Sequence, residues 1–224
     1  MIKGCTLFKR KPGMSVEDFQ AYWLNEHPKV VTALPGIRRY VQSHPLAGGY
    51  RRGELVFDGL AEVWADDAAA FRAMSSSPQY EAVRADEAEF IDGASMIFLL
   101  TEEHVIKDGP APADGLKNIE MVHHRPDLDI PEFQRYWREV HGPLAAQIPV
   151  IRRYVQSHVR LSGYARETKP VCDGLAITWF DSIDTMRESA TTEAYTRTRE
   201  DEPNFIDTDG TIPTVITREH VIVG

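Results

Sequence analysis

In the first hundred residues, segments whose apolar positions follow the period of a strand alternate with segments whose apolar positions follow the period of a helix. Residues 2–9 are rich in apolar side chains and end at a Lys-Pro-Gly turn, which predicts a strand. Ser15 precedes Asp18 by three residues and opens a helix that carries Phe19, Trp23 and His27 on one stripe. The segment IRRYVQSH at 37–44 alternates and is rich in β-branched and aromatic residues, so it predicts a second strand.

The rest of this half completes a familiar order of elements. After a loop at 45–57, the pattern predicts a strand at 59–65, a helix at 66–74, one or two further helical turns within 78–92, and a last strand at 96–106. This βαββαβ order predicts an α+β, ferredoxin-like sandwich in which two helices cover one face of an antiparallel sheet.

The pattern then returns in a second copy. FQAYW at 19–23 reappears as FQRYW at 133–137, and IRRYVQSH reappears letter for letter at 151–158. Solenoid repeats are only about 20–50 residues long, so a repeat of this length is a duplicated domain. We expect one domain at 1–106, a linker at 107–116 and a second domain at 117–224. Their two sheets could pack face to face and close into a barrel within one chain.

Composition and charge narrow the range of partners. A net charge of −9 argues against nucleic acid or an anionic membrane as the main partner. No apolar run approaches the length of about 18 residues that a membrane helix requires. Cys5 and Cys172 are not equivalent in the two halves, so they indicate no disulfide framework. Together with an N-terminus that lacks a signal-peptide core, these features predict a cytoplasmic protein.

The repeated strand carries candidate chemistry. Tyr40, Gln42 and His44 share one face by the period of two, and the second copy repeats them as Tyr154, Gln156 and His158. Such a row suits a pocket whose donors face a carbonyl, enol or phenolate oxygen. The alternatives are a polar seam between the two sheets and a solvated strand face.

His27 and His141 are the second pair of candidates. Each follows a tryptophan, Trp23 or Trp137, by four residues, on the stripe that should face the sheet. Burial lowers the pKa of a histidine and favours the neutral form that acts as a general base. The alternative is a structural histidine that bonds a backbone carbonyl near a helix end.

The two halves also differ at informative positions. Glu62 alternates with apolar residues in the third strand, whereas its counterpart is Ile177. An unpaired carboxylate there would have a raised pKa, which makes Glu62 a candidate acid or base. Lys9–Arg10 correspond to His123–His124, so the mouths of the two pockets should differ in charge. We expect the following side chains to contact substrate: Trp23, Gln42, Glu62, Trp64, Trp137, Gln156 and Trp179.

The motif KPGxSxEDFxxYWxxxHPxxV followed by LPGIRRYVQSH resembles the EthD family of the dimeric α/β-barrel superfamily. The second copy, RPxxxxPEFxxYWxxxHGPLA, resembles it as well, so the likeness covers both halves. It implies an intramolecular dimeric α/β-barrel, which would leave the chain a monomer or a homodimer of such barrels. Superfamily members include polyketide cyclases, muconolactone isomerases, cofactor-independent monooxygenases and haem enzymes. They share a pocket for a small, flat, oxygenated molecule.

We therefore expect a cofactor-independent isomerase, cyclase or dehydratase acting on a small aromatic, enone or lactone-like substrate. His44 and His158, or His27 and His141, would serve as the base. Tyr40 and Tyr154 would donate to the developing oxyanion, and Gln42 and Gln156 would position the substrate. We favour the second half as the active one, because the segment that begins at His141 reads HGPL and fits the family pattern better, whereas the segment that begins at His27 reads HPKV.

Other classes of function remain as alternatives. A cofactor-free or haem-dependent monooxygenase is one, and a non-catalytic small-molecule-binding protein is another. The chain has no HExxH, CxxC or GxxxxGK[ST] motif, so we predict no metal and no cofactor. A GxSxG nucleophile elbow is also missing. The repeated Glu-His pairs at 103–104 and 219–220 do not by themselves require haem.

Overall fold

A computed structural model describes all residues, 1–224. The eight strands are β1 (Ile2–Phe8), β2 (Arg39–Pro45), β3 (Gly59–Ala65), β4 (Ile97–Lys107), β5 (Leu116–Val122), β6 (Arg153–Val159), β7 (Gly174–Phe180) and β8 (Thr214–Val223). The helices are α1 (Val16–Asn25), α2 (Pro28–Val31), α3 (Ala68–Ser75), α4 (Pro78–Phe90), α5 (Ile130–Tyr136), α6 (Gly142–Ala145), α7 (Leu161–Tyr164), α8 (Ile183–Ser189) and α9 (Glu193–Asp201). Short 3₁₀ turns and one π-helical turn, Trp137–His141, join them.

The predicted fold class is confirmed. The βαββαβ order occurs twice, and the strands are hydrogen-bonded in the closed antiparallel order β1-β3-β2-β8-β5-β7-β6-β4, which is a barrel. No helix is long and apolar enough to cross a lipid bilayer.

Local sequence explains where the principal helices begin. Ser15 accepts a hydrogen bond from the backbone N–H of Asp18 and caps α1, and Asp129 caps α5 in the same way. The segment at 78–92 is more helical than its sequence predicts, because α4 runs for 13 residues. It buries only Val83 and Phe90, so its apolar pattern is too sparse for periodicity to reveal the full length.

The chain divides into two compact units that differ from the sequence repeats at their ends. The first unit contains residues Met1–Leu100 and Glu219–Gly224, and the second contains Thr101–Arg218. The first part of β4 therefore belongs to one unit and the rest to the other, and β8 is divided likewise. The boundaries at 106 and 117 describe the repeat and remain a prediction for folding domains.

Each unit packs an aromatic cluster between its first long helix and its sheet. In the first unit, Trp23 lies edge-on to Phe8, with ring centroids 5.0 Å apart. Gly59 permits this approach, since a Cβ there would lie 2.8 Å from the Trp23 ring. In the second unit, Gly174 plays the same part, and its Cβ would lie 2.6 Å from the ring of Trp137. These tryptophans are therefore held firmly against the sheet.

Candidate functional site

The second unit contains a cavity of about 700 Å³. One wall consists of residues from the π-helical turn Trp137–His141, α6, α8 and α9, and the floor consists of residues of β5, β6, β7 and β8. This volume lies within the range of about 300–1,000 Å³ that is usual for small-molecule sites. Much of the lining is apolar, and its main polar side chains are Asn118, Glu120, His141, Tyr154, Thr178, Arg187, Arg199 and Glu202.

Tyr154 is the most firmly positioned hydroxyl group in this cavity. Its Oη accepts hydrogen bonds from Trp137 Nε1 at 3.1 Å and from Gln156 Nε2 at 3.0 Å. Gln156 Nε2 also donates to the backbone oxygen of Trp137, which orients its amide. Two donors thus occupy the lone pairs of Oη, and the hydroxyl hydrogen is left to face an acceptor. Burial raises the pKa of Tyr154 despite these two bonds, so it remains a donor at neutral pH.

His158 extends this network but does not line the cavity. Its ring stacks on Trp137 with centroids 4.5 Å apart, and its Nε2 lies 2.9 Å from Gln156 Oε1. Because that amide oxygen only accepts, Nε2 carries the hydrogen and Nδ1 carries a lone pair. Nδ1 is buried and has no hydrogen-bond partner. Burial first, and then nearby His104 and Arg138, lower the pKa of His158 to about 3.

His141 lies in the lining and is paired with an acid. Its Nδ1 is 3.0 Å from Asp201 Oδ2 at the end of α9. Burial lowers the pKa of His141 even though Asp201 opposes the shift, so the ring is neutral at pH 7. The carboxylate fixes the hydrogen on Nδ1 and leaves a lone pair on Nε2. Burial opposes ionisation of Asp201, but hydrogen bonds from Tyr136, Asn204 and His141 lower its pKa overall.

Glu202 adds a titratable carboxyl group to the same cavity. It follows α9 and forms an ion pair with Arg199, whose Nη1 lies 2.7 Å from Glu202 Oε1. Burial raises its pKa to about 7, with Arg199 opposing the shift and Glu120 reinforcing it. At neutral pH this group is therefore close to half protonated, a state suited to both donating and accepting a proton.

The floor of the cavity carries a pair of polar side chains on β5. Asn118 Nδ2 donates to Glu120 Oε1 at 3.2 Å. In the sheet, Asn118 lies beside Thr178 of β7 and Ile216 of β8, while Glu120 lies beside Ala176 and Thr214. Helix-covered sheet faces are usually apolar, so this polar floor is an exception that points to a ligand.

The first unit has the same network of tryptophan, tyrosine, glutamine and histidine side chains, but it lacks the polar pair on the floor. Trp23 Nε1 and Gln42 Nε2 both lie 3.1 Å from Tyr40 Oη, and the His44 ring stacks on Trp23. Burial and then His220 lower the pKa of His44 to about 3. His27 Nδ1 is 2.6 Å from Asp86 Oδ2, as in the second unit's pair.

Aromatic rings occupy the corresponding floor space of the first unit. Gly4 stands where the second unit has Asn118, and a Cβ at Gly4 would lie 2.8 Å from Phe71 and 2.9 Å from Phe98. These two rings take the places of Met186 and Thr214 in the repeat. The space that Asn118 occupies in the second unit is therefore filled by aromatic carbon in the first.

Of the seven predicted substrate contacts, only Trp137 lines the cavity, and three of the others lie on the far side of the sheet. Glu62, Trp64 and Trp179 alternate along their strands with helix-facing residues, and so they point to the opposite face of the sheet. Glu62 is buried and accepts a hydrogen bond from Lys3 Nζ at 3.1 Å, so it is an ion-paired carboxylate. Trp64 and Trp179 lie under cations, with Lys3 Nζ 5.2 Å and Lys117 Nζ 5.1 Å from the respective ring centroids.

Arg10 and His124, which the sequence predicts at the mouths of the two pockets, each bind an aspartate of their own unit. Arg10 Nη1 donates to buried Asp58 at 3.0 Å, and His124 Nδ1 lies 2.7 Å from the equivalent Asp173. A tyrosine hydroxyl completes each group: Tyr50 on Asp58 and Tyr164 on Asp173. These contacts fasten the segment after β2 or β6 to the end of β1 or β5.

Sequence reasoning missed Asn118, Glu120, Arg199 and Glu202. The first two could have been found as a polar pair at alternate positions of β5, whose other residues are apolar except for Lys117. Glu202 gives no such signal, because it stands among charged residues in REDEPN. Nowhere do three or more His, Cys, Asp or Glu side chains converge as ligands for a metal ion.

Comparison with known proteins decides the family. The EthD domain model matches the chain twice, over residues 11–94 and 125–209. The chain belongs to the EthD family. No curated protein matches this EthD-family chain.

Several solved structures share its fold at low identity. An anthrone oxidase-like protein matches all of this chain and 94% of its own length, with 11% identity and a TM-score of 0.67. A candidate monooxygenase from Fusobacterium nucleatum matches 98% of this chain and 93% of its own, with 9% identity and a TM-score of 0.66. Another from Lactobacillus acidophilus covers 98% and 94%, with 12% identity and a TM-score of 0.61. At these identities the likeness concerns the fold.

Proposed function

We propose that this EthD-family protein is an enzyme that moves a proton on a flat, oxygenated small molecule, and that the cavity of the second unit is its active site. The observation that carries this proposal is the placement of Tyr154, His141 and Glu202 in the lining of one cavity. A hydrogen-bond donor, a neutral base and a half-protonated acid are the three groups that an enolisation requires.

The roles follow from the protonation states. His141 Nε2 accepts a proton from a carbon acid, and Asp201 stabilises the imidazolium that forms. The electron pair of the broken C–H bond moves onto the substrate oxygen, where the Tyr154 hydroxyl donates to the developing negative charge. Protonated Glu202 then delivers a proton to a second atom of the substrate. The product is an isomer, and proton exchange with water restores His141 and Glu202.

Isomerase, cyclase and dehydratase reactions all share this first step, and the cavity supports them equally. His141 is preferred over His158 as the base. His141 lines the cavity, whereas His158 does not and has a pKa lowered to about 3. The same reasoning places the reaction in the second unit, because rings of Phe71 and Phe98 occupy the floor of the first.

Oxygenation is a second candidate, favoured by the names of the structural neighbours. The proteins of similar fold are described as anthrone oxidase-like and as candidate monooxygenases. A substrate carbanion formed at His141 could transfer electrons to molecular oxygen instead of recovering a proton. The two candidates therefore differ in what consumes the carbanion and agree on what makes it.

Anthrone provides a test, because it is a flat ketone with an acidic C–H bond. Without oxygen and in D₂O, we expect the protein to accelerate deuterium exchange at that carbon, as measured by NMR. His141→Gln should reduce the acceleration by about 10²-fold or more, whereas His27→Gln in the first unit should leave it intact. Exchange no faster than in buffer, or equal losses from both variants, would refute the proposal.

The same probe separates the two candidates when air is admitted. Oxygen uptake that depends on the protein and is lost in His141→Gln would identify an oxygenase. Deuterium exchange without oxygen uptake would identify the proton-transfer reaction as complete in itself.

A further inference from the structure

We propose that Asn118 and Glu120 form a subsite of the cavity that binds a hydroxyl group of the substrate, at the end opposite the oxygen that Tyr154 binds. This inference rests on the proposed function, because it describes how the same cavity selects its substrate. The evidence is the arrangement of polar side chains on the floor of this cavity, which the first unit does not have.

The sheet register fixes the distance between the two ends. Tyr154 pairs with Thr178, and Thr178 pairs with Asn118, so these residues form one row across β6, β7 and β5. Neighbouring strands are about 4.8 Å apart, which separates the Cα atoms of Tyr154 and Asn118 by about 10 Å. A two-ring aromatic molecule with oxygen substituents at both ends has about that length. It would lie across β7, over Thr178 and the small side chain of Ala176.

The chemistry of the floor determines what that far end must carry. Asn118 gives one N–H to Glu120 Oε1, which leaves its second N–H as a donor and its Oδ1 and the remaining lone pairs of the carboxylate as acceptors. Thr214, beside Glu120, gives its hydroxyl hydrogen to the backbone oxygen of Ile212 and so also presents lone pairs. Acceptors outnumber donors on this floor, and a phenolic or alcoholic hydroxyl suits it because it donates to the carboxylate and can accept from the amide. A ligand carboxylate there would face Glu120 and be repelled.

The charges around the cavity favour a neutral ligand. The lining itself contains two carboxyl groups, Glu120 and Glu202, and two guanidinium groups, Arg187 and Arg199, of which Arg187 also pairs with Asp184 outside the lining at 3.2 Å. The lining therefore does not require a cation to balance it, and a hydroxyl fits the subsite better than an ammonium group. In the first unit the same floor positions are Gly4, Thr6, Val63 and Phe98, which provide no comparable set of acceptors.

The experiment compares three probes that share one naphthalene ring system: 2-naphthol, 2,6-dihydroxynaphthalene and 2,6-dimethoxynaphthalene. Their dissociation constants would be measured by calorimetry and by the change in tryptophan fluorescence, to which Trp137 contributes from the cavity lining. We expect the dihydroxy compound to bind about tenfold more tightly than 2-naphthol, because it adds one hydrogen bond to a charged acceptor. The dimethoxy compound should bind more weakly than the dihydroxy compound, because neither of its oxygens can donate a hydrogen bond to Glu120.

Substitutions then assign the preference to the subsite. Glu120→Gln should reduce the tenfold preference to about twofold or less and narrow the difference in affinity between the dihydroxy and dimethoxy compounds. Asn118→Ala should reduce the preference as well, and it provides a second variant if the first does not fold. Glu132→Gln is the matched control, since it removes a carboxylate exposed on α5 and paired with Arg135.

Three outcomes would overturn the inference. If all probes bind but 2-naphthol and the dihydroxy compound have equal affinity, the cavity is a binding site and the subsite is wrong. If Glu120→Gln weakens both equally, the carboxylate has a structural role. If no probe binds, this inference fails, and the anthrone exchange measurement decides the proposed function separately.

Discussion

Trp137 donates its indole N–H to the hydroxyl oxygen of Tyr154 across 3.1 Å, and both side chains line the cavity of the second unit. The bond joins the helical segment after α5 to strand β6, 17 residues later. It removes an acceptor position from the tyrosine oxygen and leaves the hydroxyl hydrogen for a ligand. The same pair in the first unit, Trp23 and Tyr40, makes the same bond beside a floor filled by Phe71 and Phe98. The repeated pair therefore permits matched experiments in a single chain.

Replacing these tyrosines should separate stability from activity. Tyr154→Phe and Tyr40→Phe each leave a tryptophan N–H and a glutamine N–H without an acceptor. Both should lower the free energy of unfolding by about 1–3 kcal/mol. Only Tyr154→Phe should also lower kcat, by about 10²–10³-fold, because it removes the donor to the oxyanion. Denaturant unfolding and anthrone exchange measure the two effects, and a large loss of activity in Tyr40→Phe would contradict this assignment.

The rate should depend on pH through His141 and Glu202. His141 must be neutral to accept a proton, and burial lowers its pKa, so activity should rise with pH through a limb below 6.5. Glu202 must be protonated to donate, and burial raises its pKa to about 7, so activity should fall above that value. Glu202→Gln should abolish the alkaline limb. Glu87→Gln, which removes the equivalent carboxyl of the first unit, should keep the bell-shaped profile of kcat/KM.

Stability should fall in acid because two buried histidines resist protonation. Burial lowers the pKa of His44 and His158 to about 3 in the folded state, against an ordinary value of 6.5. The unfolded chain therefore binds more protons between these values, and the free energy of unfolding decreases as pH falls from 6.5 towards 3. His44→Gln and His158→Gln should each flatten this decrease when denaturant midpoints are compared between pH 7 and 4. An unchanged slope in both variants would show that neither ring is held neutral.

The first unit's side chains should close the cavity of the second. A triple variant of the second unit, Asn118→Gly with Met186→Phe and Thr214→Phe, would carry the residues that the first unit has at the equivalent positions: Gly4, Phe71 and Phe98. The glycine is required, because a Cβ at Gly4 would lie within 3 Å of both rings. We expect the triple variant to fold with similar stability and to bind 2,6-dihydroxynaphthalene at least tenfold more weakly. The control Phe71→Met should leave binding unaltered, and unaltered binding in the triple variant would place the ligand elsewhere.

The sequence by itself determined the duplication, the βαββαβ order, and the common face of Tyr154, Gln156 and His158. These features are local: apolar spacing reports the helix and strand periods, and an identical segment has to adopt the same conformation twice. Periodicity also placed His141 on the same helical stripe as Trp137. It could not identify Asp201, the partner of His141, because that contact joins residues 60 positions apart.

The tertiary structure alone decided which sheet face is covered by helices and which residues line the cavity of the second unit. Alternation along β7 is equally consistent with Trp179 or with Thr178 facing a ligand, because a strand has no intrinsic preference for either side. The lining brings together residues 118, 186 and 214, which lie far apart in the chain and meet only after folding. The pKa of Glu202 depends on the same assembly, since desolvation by the packed elements around it raises that value to about 7.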